Sequence, residues 1–157
     1  MRLVLIAGEP SGDKLGGALM AGLKTLVPGV EFHGVGGPAM EAEGLQSLFP
    51  MSDLSVMGLA EVLPKLRHLF RRRDEAVAEV LRVRPAALVT IDSPDFCLRV
   101  AAKVKARAGR PDLPVIHYVA PSVWAWRPAR AAKMARTVDH VLALLPFEPP
   151  YMRAVGM

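Results

Sequence analysis

Short continuous apolar runs recur along the chain at Leu3 to Ala7, Phe32 to Val35, Ala86 to Ile91, Val115 to Val119 and Val138 to Leu145. Runs of this length without polar alternation are the pattern of strands covered on both faces, and the segments between them are long enough for crossover helices. The first run ends in Gly8-Glu9-Pro10-Ser11-Gly12-Asp13 and passes into a helical pattern through Leu26, which reads as strand, tight turn, helix. Gly34-Val35-Gly36-Gly37-Pro38 reads as a second strand-to-helix turn. Pro28-Gly29, Gly109-Arg110-Pro111 and Pro149-Pro150 mark boundaries, with no internal repeat or linker between them. The expectation is one α/β domain over residues 1–157, with a doubly wound, mainly parallel, Rossmann-like sheet. A helical segment beginning near Phe147 would in such a pattern be followed by further strands, so the domain is expected to belong to a longer protein.

A second periodicity, at three and four residues, runs through Leu59, Val62, Leu63, Leu66, Leu69 and Phe70, the apolar stripe of an amphipathic helix that begins or kinks at Pro64. Lys65, Arg67, Arg71, Arg72 and Arg73 crowd the same segment. Two readings are open for it: a helix facing the core, or a helix lying in the interface of an anionic bilayer.

Composition narrows the setting. No apolar run reaches the ~20 residues of a spanning helix, and Met1 to Gly8 lacks the form of a signal peptide, so a cytoplasmic, soluble or peripheral protein is expected. The formal net charge of +5 suggests an anionic partner. Nucleic acid is disfavoured, because no recognition motif or helix of interleaved basic and base-stacking residues is present. The single cysteine, Cys97, excludes an intramolecular disulfide and is expected as a small buried side chain. No metal-ligand spacing is evident.

In a doubly wound sheet, chemistry belongs on the loops after the strands. The loop Gly8 to Asp13 has neither the dinucleotide glycine spacing nor the Walker lysine. Its glycines permit close backbone approach, and Ser11 and Asp13 could cap a helix or contact a ligand. Asp92-Ser93-Pro94-Asp95 sets two carboxylates directly after a buried strand, where one could serve as a general base and either could cap the next helix. The stretch His117 to Arg127 puts Trp124, Trp126 and Arg127 on the loop after the following strand, side chains able to stack on sugar rings and clamp phosphate.

Together, Ala7 to Asp13, Val56-Met57-Gly58, Ile91 to Phe96, His117 to Arg127 and Leu145-Pro146-Phe147-Glu148 closely resemble the lipid-A-disaccharide synthases, in the family's order over essentially the whole chain. The resemblance implies the first half of a two-domain GT-B glycosyltransferase, the acceptor-side domain, with the nucleotide-sugar domain lying outside this chain. It implies inverting transfer of 2,3-diacylglucosamine from its UDP carrier to 2,3-diacylglucosamine 1-phosphate, giving a β-1,6-linked disaccharide, without metal or redox cofactor. Carried over residue by residue, Asp92 is the general base on the acceptor's 6-hydroxyl. Gly8, Glu9, Ser11, Gly12, Asp13, Asp95, Trp124, Trp126 and Arg127 become substrate-binding candidates. Cys97 departs from the asparagine common at that position. A diacylated substrate stays in the membrane, since exposing each methylene costs ~0.8 kcal/mol. That turns the stripe toward the bilayer reading, with Val62, Leu63, Leu66, Leu69, Phe70, Arg71, Arg72 and Arg73 as membrane contacts on the inner-membrane surface. A UDP-sugar 2-epimerase of the same architecture and a non-catalytic lipid-binding module are the alternatives.

Overall fold

The structure, a computed structural model, describes residues 1–54, 62–107, 112–120 and 128–157, the side chains of 62–65, 107 and 128–130 excepted. Five strands, β1 (Arg2–Ala7), β2 (Glu31–Val35), β3 (Ala87–Ile91), β4 (Val115–Tyr118) and β5 (His140–Leu142), form one sheet. All four pairings are parallel and the order is β2-β1-β3-β4-β5. The helices between them are α1 (Pro10–Leu26), α2 (Pro38–Ala42), α3 (Val62–Val83), α4 (Pro94–Arg107), α5 (Pro128–Met134) and α6 (Pro149–Arg153), with a 3-10 turn at Met51–Leu54.

The period-two alternation of β1 sorts its side chains into two cores. Leu3, Leu5 and Ala7 join Met20 of α1 and Met40 of α2 on one face. Val4 and Ile6 face Ala76, Val77 and Val80 of α3 and Val100, Ala101 and Val104 of α4 on the other. The central strands are therefore covered twice, which is why they read as unbroken apolar runs. Truncating a fully buried side chain such as Ile6 to alanine is expected to cost about 2–5 kcal/mol.

The fifth strand is much shorter than its apolar run. Only His140–Leu142 pairs, and Leu142, Leu144 and Leu145 are exposed at this edge of the sheet. Helix α3, by contrast, continues thirteen residues past Phe70, because Ala76, Val77, Val80 and Val83 carry a buried stripe at helical spacing after the arginines.

β1 has β2 on one side and β3 on the other, so the connections run in opposite directions from it. The crevice between the carboxyl ends of β1 and β3 is the topological switch point of the sheet.

Candidate functional site

The two loops that flank this crevice are Gly8-Glu9 and Asp92-Ser93, and they are bonded to each other. Asp92 still donates its N–H to the Tyr118 carbonyl at 3.0 Å, continuing the β3–β4 ladder. The backbone then enters the left-handed region at two successive residues, Asp92 at φ 53° and Ser93 at φ 41°. That conformation costs of order 1–2 kcal/mol per non-glycine residue, least for aspartate and asparagine. It turns the chain sharply, so that Pro94 opens α4 and the Asp92 carboxylate stands at the crevice, partly exposed.

The carboxylate is held at both oxygens. Ser11 Oγ, on the first turn of α1, donates to Asp92 Oδ2 at 2.9 Å, and the Ser93 N–H donates to Oδ1 at 2.9 Å. Ser93 Oγ donates to Glu9 Oε1 at 3.2 Å. Gly8 lies directly under this contact, for a Cβ there would stand 2.6 Å from Ser93 Oγ. Gly12 brings α1 against the end of β3, where a Cβ would lie 3.1 Å from the Ile91 carbonyl oxygen. Asp92, Ser11, Glu9 and Ser93 thus form one cluster, with the two glycines allowing the close approach.

Asp13 has a different occupation. It is buried, and its carboxylate accepts the N–H groups of Gly37 at 2.8 Å, Ala39 at 2.9 Å and Met40 at 3.0 Å. It caps α2, an element twenty-four to twenty-seven residues away, rather than its own helix or a ligand in the crevice.

Beside the cluster opens a cavity of about 580 Å3, within the range of small-molecule sites. Glu9, Pro10, Ser93, Pro94 and Asp95 line its crevice end. Leu54, Leu66, Leu69, Phe70 and Phe96 form an apolar wall, and Arg73 and Arg99 complete the lining. Asp95 stands in the first turn of α4, where a negative charge is favoured by the helix dipole.

The arginines of α3 diverge in role. Arg72 turns inward, bonded to Asp53 at 2.8 Å and Glu75 at 2.5 Å with its guanidinium over the Phe49 ring. The Arg72 hydrogen bond holds the Asp53 carboxyl below the usual range, assisted by His68. Arg73 pairs with Asp74 at 2.8 Å and covers the Phe70 ring, while Arg71 is exposed and reaches Glu75 at 3.4 Å. Leu66 and Leu69 are half-buried and Phe70 is 41% exposed. The side chains of Val62 and Leu63, together with Trp124, Trp126, Arg127 and the Val56-Met57-Gly58 motif, lie outside the described residues.

One buried group near the crevice was given no role by the sequence. His117 on β4 is fully buried, and its Nδ1 lies 2.8 Å from Thr90 Oγ1. The Thr90 hydroxyl also lies 3.3 Å from the Ile116 carbonyl, and the buried His117 Nε2 has no hydrogen-bond partner among the described residues. Burial lowers the His117 pKa to about 4, against an opposing pull from Asp92. The signal was a lone polar residue inside an apolar strand. Cys97 is buried, as expected of a lone small side chain, its thiol pushed up to about 12 by burial. Among the described residues no group of His, Cys, Asp and Glu side chains could hold a metal ion, and no helix is long and apolar enough to cross a membrane.

Residues 3–157 match the family model described as lipid-A-disaccharide synthetase. The chain belongs to this family. Its relatives include the lipid-A-disaccharide synthases of Ruegeria pomeroyi, 66% identical over 157 residues, and Rhodospirillum centenum, 59% identical over 156 residues. That of Pseudomonas aeruginosa is 50% identical over 157 residues. These alignments cover 99–100% of this chain but only 38% of the Ruegeria and Rhodospirillum proteins and 40% of the Pseudomonas one. The chain therefore spans about two fifths of the length of a lipid-A-disaccharide synthase.

Proposed function

We propose that this chain is the acceptor-side domain of an inverting glycosyltransferase that moves 2,3-diacylglucosamine from UDP to 2,3-diacylglucosamine 1-phosphate. The observation that carries the reading is the juxtaposition of a held carboxylate, Asp92, with a cavity lined by Leu54, Leu66, Leu69, Phe70 and Phe96. An unacylated sugar nucleotide, as an epimerase would use, has no need of the wall formed by Leu54, Leu66, Leu69, Phe70 and Phe96. An acylated sugar does, because its chains need a nonaqueous place while the ring sits at the crevice.

In this reading Asp92 is the general base. Displacement with inversion at the donor's anomeric carbon requires the acceptor 6-hydroxyl to lose its proton as the new C–O bond forms and UDP departs. Asp92 takes that proton on a carboxylate whose orientation Ser11 and the Ser93 N–H fix. Glu9 and Asp95, at the same end of the cavity, are positioned to accept hydrogen bonds from other ring hydroxyls. The nucleotide belongs to a second domain in the remaining three fifths of the protein, so residues 1–157 alone are expected to give no turnover.

The same reading makes α3 the membrane contact. Phe70 is exposed beside Arg67 and Arg71, and Leu66 and Leu69 continue the apolar face into the cavity. A helix with this distribution can lie in an anionic interface and pass acyl chains from bilayer to cavity. Arg72, which pairs with Asp53 and Glu75 and lies over Phe49, contributes least to that contact. The test is disaccharide formation by the full-length protein from purified donor and acceptor. UDP release without a disaccharide product would refute the reading. Serine at Val62, Leu63, Leu66, Leu69 and Phe70 is expected to abolish vesicle binding while the circular dichroism spectrum is retained. Unfolding with unchanged vesicle binding would return α3 to the core.

A further inference from the structure

Both signs of charge line the cavity. Glu9 and Asp95 stand on its wall beside the Asp92 cluster. Between α3 and α4, Lys103 and Arg73 both bond the single carboxylate of Asp74, and those hydrogen bonds hold the Asp74 carboxyl below its ordinary range. Arg99 stands one helical turn before Lys103 on α4 and lines the cavity beside Arg73. No ion pair joins Arg99 to a carboxylate among the described residues. Arg73 and Arg99 thus line the cavity beside its apolar side chains, with Asp95 one helical turn before Arg99. That is the setting for an amphiphile carrying an anion, and a guanidinium not committed to a carboxylate is the group suited to a phosphate.

Arg99 lies five residues along α4 from Pro94, about 7.5 Å of helical rise, so it stands along the cavity wall from the loop that carries Asp92. We infer that Arg99, with Arg73 beside it, is the specificity residue that anchors the phosphomonoester of the acceptor and thereby directs the opposite hydroxyl to Asp92. The inference rests on the transferase reading above and adds to it how the site distinguishes a phosphorylated from an unphosphorylated acylated sugar.

The same guanidinium could instead meet the phosphate of a bilayer phospholipid, and the experiment separates the two sources. In the full-length protein, Arg99→Ala and Arg99→Lys are compared with wild type on diacylglucosamine 1-phosphate and on the same lipid lacking the phosphate, in detergent micelles. The preference for the phosphorylated acceptor in kcat/KM is expected to fall roughly ten- to hundredfold in Arg99→Ala, chiefly through KM, and to be partly restored by lysine. An unchanged preference, or an equal loss on both acceptors, overturns the anchor. Flotation with phosphatidylglycerol vesicles supplies the second arm. Reduced vesicle binding with unchanged acceptor preference would assign the phosphate to the membrane and overturn the proposal. Equilibrium binding of the two lipids without donor keeps this test apart from that of the transferase reading. If no disaccharide forms but the phosphorylated lipid is preferred and Arg99→Ala erases that preference, the anchor stands while the reaction falls. No preference in wild type removes the anchor.

Discussion

Asp13, in the first turn of α1, and Asp92, on the loop after β3, lie at the same carboxyl end of one sheet, and their surroundings could hardly differ more. Asp13 is sealed, with three backbone N–H groups on its oxygens, and it joins α1 to the start of α2. Asp92 is partly exposed, projects from a backbone held in the left-handed region, and takes one hydroxyl and one N–H. A carboxylate saturated by backbone donors is a structural cap. One held at two points on a strained turn, facing an open cavity, keeps capacity for a substrate proton.

The sharpest test of the comparison is to remove each carboxylate in the full-length protein. Asp92→Ala is expected to lower disaccharide formation by roughly two to four orders of magnitude, the usual contribution of a general base, with a thermal midpoint close to wild type. Should Asp95→Ala produce that loss while Asp92→Ala does not, the base would be Asp95. Asp13→Ala is expected to cost about 2–4 kcal/mol in urea denaturation, because three N–H groups lose a charged acceptor. Turnover per folded molecule should fall far less than with Asp92→Ala. A stable Asp13→Ala protein with abolished turnover would place Asp13 among the reacting groups after all.

A third test exploits His117. Its pKa is depressed from 6.5 to about 4 in the folded protein, so the unfolded chain binds the extra proton between those values and stability falls as pH drops through that window. The loss is on the order of 3 kcal/mol between neutrality and pH 4. Denaturation midpoints measured from pH 7 to pH 5 should therefore slope downward, and His117→Gln should flatten the slope. A wild-type profile flat over this range would mean the imidazole is not held neutral. The smallest expected effect is that of Ser11→Ala, which removes one hydroxyl from Asp92. About a tenfold loss of kcat with KM unchanged is expected. An unaltered kcat would show that the Ser11 bond does not orient the base.

Much of the sheet was legible because β1 and β3 are covered on both faces, and burial of that kind leaves a nearly unbroken apolar run in the sequence. The run Val138 to Leu145 misled for the same reason. Apolar letters do not reveal whether a partner covers them, and at the sheet edge only three residues pair. The crevice loops followed from the strands that precede them. The duty of Asp13 did not, because its partners lie in another helix, and side-chain capping across such a separation has no local pattern. Nor did the division among the arginines of α3, since charge at helical spacing does not say that Arg72 meets Asp53 and Phe49 while Arg73 meets the cavity. His117 shows the converse: a polar residue within an apolar strand was visible and went unweighed.

The bond from Ser11 to Asp92 spans 81 positions of sequence, and the parallel pairing of β1 with β3 spans a similar interval. During synthesis at about 5–20 residues per second, β1 emerges and waits on the order of 4–16 s before β3 exists to pair with it. Throughout that interval the most apolar strand of the protein has at most β2 as a neighbour, and contacts so distant in sequence form late in folding. Growth temperature and chaperone supply should therefore govern the soluble yield of this protein more strongly than the stability of its finished fold would suggest.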